Sequence, residues 1–156
     1  MIKLKLFEGI DPHEHQTILD KYFKRKTYKA NEAIIKKGKS GDEMFILLDG
    51  TAKVKVSKKF SAGLNPGDVF GEVCFIDGGK RSASVFAETA AILAVLSKND
   101  YNLFMKERPQ DASIFLYNII RILIGRLRKT VETIVETEMD LKQMEAFIIK
   151  LRLQTL

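Results

Sequence analysis

The sequence predicts a mainly β domain with flanking helices, a barrel or jelly roll followed by a long C-terminal helix. Three observations carry this prediction. Short apolar or alternating runs follow one another between residues 27 and 96, turn signals separate them, and the chain beyond residue 110 has a single glycine and no proline. Because no helix-length segment separates the runs, a closed or sandwiched β unit fits better than a parallel sheet.

The predicted strands are five short runs in which apolar residues alternate or follow one another. They span residues 33–35, 44–48, 52–56, 84–87 and 91–96. Between them stand the turn signals Gly38, Gly41, Asp49-Gly50, Pro66-Gly67-Asp68 and Asp77-Gly78-Gly79. Turns at such short, regular spacing are typical of an all-β unit.

Short helices are predicted on both sides of the strands. Residues 11–23 favour a helix because Asp11 suits a cap and Pro12 a first turn. The apolar positions of this segment have the spacing of one helical face: Ile18, Leu19, Tyr22 and Phe23. Residues 99–105 predict a second short helix, and Pro109 should end it or open the next one.

The C-terminal segment, residues 111–156, is predicted to be helical, either as one rod or as two pieces. One heptad position is filled by Ile120, Leu127, Ile134, Leu141 and Ile148, and the other by Leu123, Met144 and Leu151, with Thr130 and Thr137 as interruptions. A two-chain coiled coil and an amphipathic helix lying on the β unit both explain this pattern. The predicted domains are therefore a β unit with its N-terminal helix, 1–110, and a helical arm, 111–156.

Composition limits the classes of function. A chain of 156 residues with 46% hydrophobic residues is long enough for one core. It has neither a signal-peptide pattern nor an apolar stretch of about 18 residues, so we expect a cytoplasmic protein with no membrane partner. The single cysteine, Cys74, excludes an internal disulfide and a four-cysteine cluster. We expect no metal and no cofactor.

The net charge of +6 raises the question of nucleic acid binding. Basic residues crowd between Lys21 and Lys39, but acidic residues are mixed with them and aromatic residues do not alternate with them, which favours a solvated face. An enzyme is disfavoured as well. The two histidines, His13 and His15, lie in the predicted N-terminal helix, away from the candidate site. We expect both side chains to be exposed to solvent.

The candidate site lies in residues 70–85. Gly71 lets the backbone come close to a ligand, and a short helix beginning there would direct N–H groups toward an anion. Arg81 offers a charged fork that matches phosphate oxygens, and Ser82 adds a hydroxyl donor. Glu72 would repel a phosphate unless a hydroxyl such as a ribose 2′-hydroxyl lay between them, so the set suits an anion fused to a sugar. The alternative is that Arg81 and Glu72 simply pair with each other.

The stretch Gly71-Glu72 followed by Arg81-Ser82-Ala83-x-Val85 resembles the phosphate-binding cassette of the cyclic-nucleotide-binding domains, especially the catabolite-activator type of cyclic AMP receptor. The upstream segments 34–38, 41–47, 49–50 and 64–72 resemble the glycine-punctuated β-roll of that family, a double-stranded β-helix. Downstream, residues 126–130 resemble its C-terminal dimer helix. The resemblance covers roughly residues 7–135.

The resemblance implies a regulatory domain that binds a cyclic nucleotide, with cyclic AMP favoured over cyclic GMP, and transmits the ligand state through its C-terminal helix. It implies that Glu72 binds the ribose and Thr130 contacts adenine. The phosphate would be bound by the backbone of Gly71, Glu72, Val73 and Cys74, by Arg81, and by the turn of Ser82 and Ala83. Three positions depart from the family pattern: Cys74 and Phe75 within the cassette, and Val131, where the receptor has a serine that contacts the base from the partner chain.

The resemblance also sets expectations about partners. We expect a homodimer through the C-terminal helix. The resemblance is also compatible with a separate protein partner. A helix-turn-helix output domain would need more chain after the long helix, so direct DNA binding is not expected. The alternative function is a protein-interaction or dimerisation module of the same fold, with a degenerate pocket or another anionic metabolite as ligand. A haem-sensing variant would need His13 or His15 as axial ligand.

Overall fold

The structure, a computed structural model, describes residues 4–58 and 61–154, except the side chains of residues 147 and 150–154. The chain divides into two compact units, Met1–Asn118 and Ile119–Leu156. The sequence places a domain boundary after residue 110, whereas the first unit continues to Asn118, since Ala112 and Phe115 are fully buried. The ends of the two predicted domains, residues 1–3 and 155–156, lie outside the described residues, as do residues 59–60.

The first unit contains a β-roll made of two antiparallel sheets. Its strands in the described residues are β1 (Lys24–Tyr28), β2 (Ala33–Ile35), β3 (Glu43–Asp49), β4 (Ala52–Lys55), β5 (Ser61–Leu64), β6 (Val69–Phe70), β7 (Ser84–Ala87) and β8 (Ala91–Ser97). One sheet has the strand order β1-β8-β3-β6 and the other β2-β7-β4-β5. The predicted fold class, a mainly β jelly roll with flanking helices and a long C-terminal helix, is confirmed.

The core of the roll takes residues from both sheets. Its members are Ile35, Phe45, Leu47, Ala52, Leu64, Phe70, Val85, Ala87, Ala91, Leu93 and Val95. Strand β3 is buried on both faces, because Met44 and Ile46, which alternate with Phe45 and Leu47, are also fully buried. This double burial explains why β3 is a continuous apolar run in the sequence.

The helices lie before, within and after the roll. They are α1 (Pro12–Tyr22), α2 (Glu72–Asp77), α3 (Lys98–Glu107) and α4 (Pro109–Gln154), preceded by a 3₁₀ turn at Lys5–Phe7. The predicted N-terminal helix is confirmed with its cap, since the Asp11 carboxylate accepts a hydrogen bond of 3.0 Å from the His13 N–H. Of the two alternatives for the C-terminal segment, the structure has one continuous helix.

Side-chain hydrogen bonds join the helices of the first unit to one another and to the N-terminal segment. The Tyr22 hydroxyl donates to Glu107 at 2.6 Å, and Lys21 lies 2.7 Å from the same carboxylate. The hydrogen bond from Lys21, followed by that from Tyr22, holds the pKa of Glu107 below its usual range. The Asn118 amide donates to the main-chain oxygens of Leu6 and Glu8 at 2.9 and 2.8 Å, which ties α4 to the N-terminal segment.

The two histidines differ in their surroundings. His13 is exposed, as expected. The expectation is wrong for His15, which is half-buried: its ring nitrogen lies 3.0 Å from the Ile10 oxygen, and its ring is 5.1 Å from that of Phe7. Through these contacts, His15 packs α1 against the segment that precedes it.

The second unit consists of the α4 residues from 119 onward. The residues at the first predicted heptad position all have exposed side chains: Ile120 46%, Leu127 63%, Ile134 53%, Leu141 55% and Ile148 44%. At the second position, the side chain of Leu151 lies outside the described residues. Within residues 4–58 and 61–154, no helix combines the length and the apolar character needed to cross a membrane.

Candidate functional site

Two glycines define the short helix at the centre of the candidate site. Gly71 follows β6, has a left-handed φ of +76°, and is the N-cap residue directly before α2. Gly78 ends α2 with φ +70°, and its N–H donates to the Cys74 oxygen at 2.9 Å. Residues with a β-carbon rarely adopt either conformation. The glycines therefore confine α2 to Glu72–Asp77 and place the first-turn N–H groups of residues 72–74 directly after Gly71.

Arg81 is the buried cation of the site, with 7% of its surface exposed. Its Nη1 donates to the Gly71 oxygen at 2.9 Å and its Nη2 to the Glu43 oxygen at 2.7 Å. Its Cζ lies 5.8 Å from the ring centroid of Phe45, a contact of cation–π type. Arg81 thus connects the start of β3 with the N-cap residue of α2.

The main chain of Arg81 is also fixed. Its N–H donates to the Lys39 oxygen at 2.9 Å, and its oxygen accepts from the Gly38 N–H at 2.8 Å. Next to it, Lys80 forms an isolated bridge with Ser40. The loop before β3 therefore positions the Arg81 backbone, while β3 and Gly71 position its guanidinium.

The side chains of α2 divide between the interior and solvent. Glu72 and Cys74 are 4% and 5% exposed, and Phe75 is 1% exposed and packs edge-on against Tyr101. Val73 is 48% exposed. Cys74 is thus a packed small side chain, and the cassette departures at Cys74 and Phe75 both lie on the buried side of α2.

The remaining predicted site residues lie in two places. Ser82 is exposed and Ala83 half-buried, in the bend between Arg81 and β7. Thr130 lies in the second unit with an exposed side chain, and its hydroxyl donates to the Arg126 oxygen at 2.9 Å. The structure brings Arg81 into contact with Gly71. Thr130 belongs to the second unit, whereas the other site residues belong to the first, so the adenine contact of Thr130 stays a prediction.

Three features around Arg81 were given no role at the site by the sequence analysis. They are the main-chain oxygen of Glu43, the ring of Phe45, and Gly41, where an added β-carbon would meet the guanidinium. The glycine itself was the available signal, since the resemblance already included residues 41–47. In the described part of the chain, no group of three or more His, Cys, Asp or Glu residues could hold a metal ion.

A roll of two antiparallel sheets, with a buried arginine bonded to the glycine before a short helix, defines the class: a β-roll domain whose candidate site holds a buried cation. The model of the family described as "Cyclic nucleotide-binding domain" matches residues 25–108. The chain belongs to this family, which confirms the resemblance. Domains of this family are regulatory rather than catalytic.

Individual relatives agree with the family. The Cyclic AMP receptor protein of Thermus thermophilus is 31% identical over 147 residues, which cover 90% of this chain and 62% of the relative. The mouse hyperpolarization-activated cyclic nucleotide-gated channel 2 is 31% identical over 112 residues, covering 72% of this chain and 13% of the channel. The crystal structure of Thermus thermophilus Catabolite Activator Protein matches with a TM-score of 0.72 and 29% identity, covering 88% of this chain and 62% of that one. The chain spans less than two thirds of the length of these relatives.

Proposed function

We propose that this chain is a cytoplasmic, non-catalytic sensor domain that binds a cyclic nucleotide, cyclic AMP in preference to cyclic GMP. The observation that carries the proposal is the buried guanidinium of Arg81, bonded to the N-cap residue of α2, within the segment that matches the family. A buried cation at this position suits a ligand with one compact negative charge.

The phosphate chemistry follows from the donors at the site. A guanidinium carries more N–H donors than the two that bond Gly71 and Glu43. The proposal assigns the ligand's cyclic phosphate to the other donors of Arg81, to the backbone N–H groups of residues 72–74 and to the bend at Ser82 and Ala83. Charge-assisted hydrogen bonds of this kind are the stronger ones in proteins.

The sugar and base contacts are assigned to two other residues. Glu72 is buried next to Gly71, and as a carboxylate it would accept a hydrogen bond from the ribose 2′-hydroxyl. The proposed preference for cyclic AMP is supported by the similarity to a protein named as a cyclic AMP receptor and by the position of Thr130 in the resemblance. Cyclic GMP remains the second ligand to test.

We further propose that ligand state is transmitted through α4 and that α4 pairs with a second copy of the chain. The exposed apolar residues at the first heptad position support pairing, because a long helix normally covers such residues. A ligand shifts a helix between two arrangements only if it binds one of them more tightly. A contact between the base and Thr130 would supply that difference.

Isothermal titration with cyclic AMP, cyclic GMP and 5′-AMP tests the proposal. 5′-AMP is the matched control because it keeps the base and ribose but opens the cyclic phosphate. We expect saturable binding of cyclic AMP, weaker binding of cyclic GMP and little binding of 5′-AMP. Absence of binding by both cyclic nucleotides would reject the sensor function. The interaction module, with the exposed apolar residues of α4 as its contact surface, would then be the better description.

A further inference from the structure

We propose that Gly41 is a positioning residue of this site, because its missing side chain leaves the slot in which the Arg81 guanidinium lies. The inference rests on the proposed function only where nucleotide binding is measured. The slot itself is a property of the protein without ligand. Gly41 stands two residues before Glu43, whose main-chain oxygen binds the guanidinium.

The space at Gly41 is filled by the head of Arg81. A β-carbon placed on Gly41 in ideal geometry would lie 2.6 Å from Nη2, 2.7 Å from Nε and 2.9 Å from Cζ of Arg81. Carbon and nitrogen atoms that are not bonded to each other do not approach this closely. The guanidinium therefore occupies the space that a β-carbon at position 41 would take.

Gly71 faces another part of the same guanidinium. A β-carbon there would lie 2.9 Å from Nη1 of Arg81, 3.1 Å from Cδ2 of Phe45 and 3.2 Å from the Glu43 oxygen. Gly71 also has the left-handed φ of +76°. A substitution at Gly71 would combine backbone strain with several clashes, so it could not isolate the effect of moving Arg81.

A substitution at Gly41 can displace Arg81 without backbone strain or other clashes. Its φ lies outside the left-handed region, and the three closest atoms to its added β-carbon all belong to the Arg81 head. The tip of an arginine is flexible, so an alanine at 41 would push the guanidinium aside without straining the backbone. Displacement would break or lengthen the bonds to Glu43 and Gly71, which are 2.7 and 2.9 Å long, and would misdirect the donors proposed for phosphate.

The binding test compares Gly41→Ala with Gly63→Ala. Gly63 is the matched control because its φ is also outside the left-handed region and no heavy atom lies within 4 Å of its added β-carbon. Titration with cyclic AMP should show an affinity loss of about tenfold for Gly41→Ala and about twofold or less for the control. In an Arg81→Ala background, Gly41→Ala should add about twofold or less, because the group that it displaces is gone. An equal loss in both backgrounds would overturn the proposal.

A second measurement needs no ligand. The Arg81 Nε–H resonance in ¹⁵N-labelled protein, assigned by its loss in Arg81→Ala, should shift in Gly41→Ala and stay unchanged in Gly63→Ala. An unchanged resonance in Gly41→Ala would overturn the slot. If the wild-type protein binds no cyclic nucleotide, the proposed function fails, and the resonance still decides whether the slot exists.

A double variant keeps the proposal testable if Gly41→Ala fails to fold. Lysine has no planar head to fill the slot. Gly41→Ala combined with Arg81→Lys should therefore be as stable as Arg81→Lys alone in urea denaturation. A double variant that unfolds more easily than Arg81→Lys would mean that the alanine clashes with something other than the guanidinium, and the proposal would be wrong.

Discussion

Replacing Arg81 with alanine should destabilise the fold as well as weaken ligand binding, since the guanidinium donates to two main-chain oxygens. A hydrogen bond to a charged group contributes about 1.5–3 kcal/mol to stability. Two such bonds give an upper estimate of about 3–6 kcal/mol. Water can enter the space left by the side chain and bond these oxygens, so we expect a loss of about 2–3 kcal/mol in the free energy of unfolding. The bonds to Gly71 and Glu43 thus add an effect on stability to the effect on affinity.

Urea denaturation and cyclic AMP titration measure the two effects separately. Loss of one charge-assisted bond to the phosphate corresponds to a decrease in affinity of roughly 10- to 150-fold. Arg81→Lys is the intermediate control, because an ammonium group keeps the charge but cannot span both oxygens. We expect its stability and affinity to lie between those of the wild type and Arg81→Ala.

Each measurement can refute a separate part of the reasoning. A urea midpoint for Arg81→Ala equal to that of the wild type would show that the two oxygens do not depend on the guanidinium. Wild-type affinity in the same variant would reject the assignment of the phosphate to Arg81. A large loss of stability with unchanged affinity would make Arg81 a structural residue only.

Three further predictions concern the sugar, the base and the helix. Glu72→Ala should cost less affinity than Arg81→Ala, because its partner is a neutral hydroxyl, and titration should show weaker discrimination against 2′-deoxy cyclic AMP; equal discrimination before and after would reject the ribose contact. Cyclic AMP should protect the amides of residues 120–135 from hydrogen exchange, and Thr130→Ala should lose most of this protection while still binding ligand. Thr133→Ala, which removes a similar bond within α4, should keep the protection, and an equal result for both threonines would remove the base contact. Ile134→Glu should convert a sedimenting dimer to monomer, because it places a charge in an apolar seam. Met139→Glu, outside the two heptad positions, should remain a dimer, and a wild-type monomer at high micromolar concentration would contradict the pairing.

The sequence predicted the elements whose signal is local. Strand β3 and the cap of α1 were visible because burial on both faces and capping chemistry leave a mark on adjacent residues. Strand β1 was missed because Lys24, Arg25 and Lys26 follow one another on a strand at the edge of its sheet, where no apolar alternation is required. Strand β6 was missed because two residues are too few to show a period.

The candidate site shows the same division. Gly71, Glu72 and Arg81 could be found because the cassette is continuous in sequence and its spacing is recognisable. The contacts of Arg81 with Gly41 and with the Glu43 oxygen could not, because they depend on how the loop before β3 passes over the start of α2. A main-chain oxygen has no sequence signature of its own, so the group that bonds Nη2 is visible only in three dimensions.

The buried amide of Asn118 has a practical consequence for experiments at the other end of the chain. Because it donates to the main-chain oxygens of Leu6 and Glu8, and because the ring of Phe7 lies 5.7 Å from that of Phe115, the start of α4 and the N-terminal segment are joined. A movement of these helical turns would therefore displace residues 4–8 as well. A fluorophore coupled near residue 4 would report on such a movement without any label on the helix, while a bulky purification tag at the same place could alter the response under study.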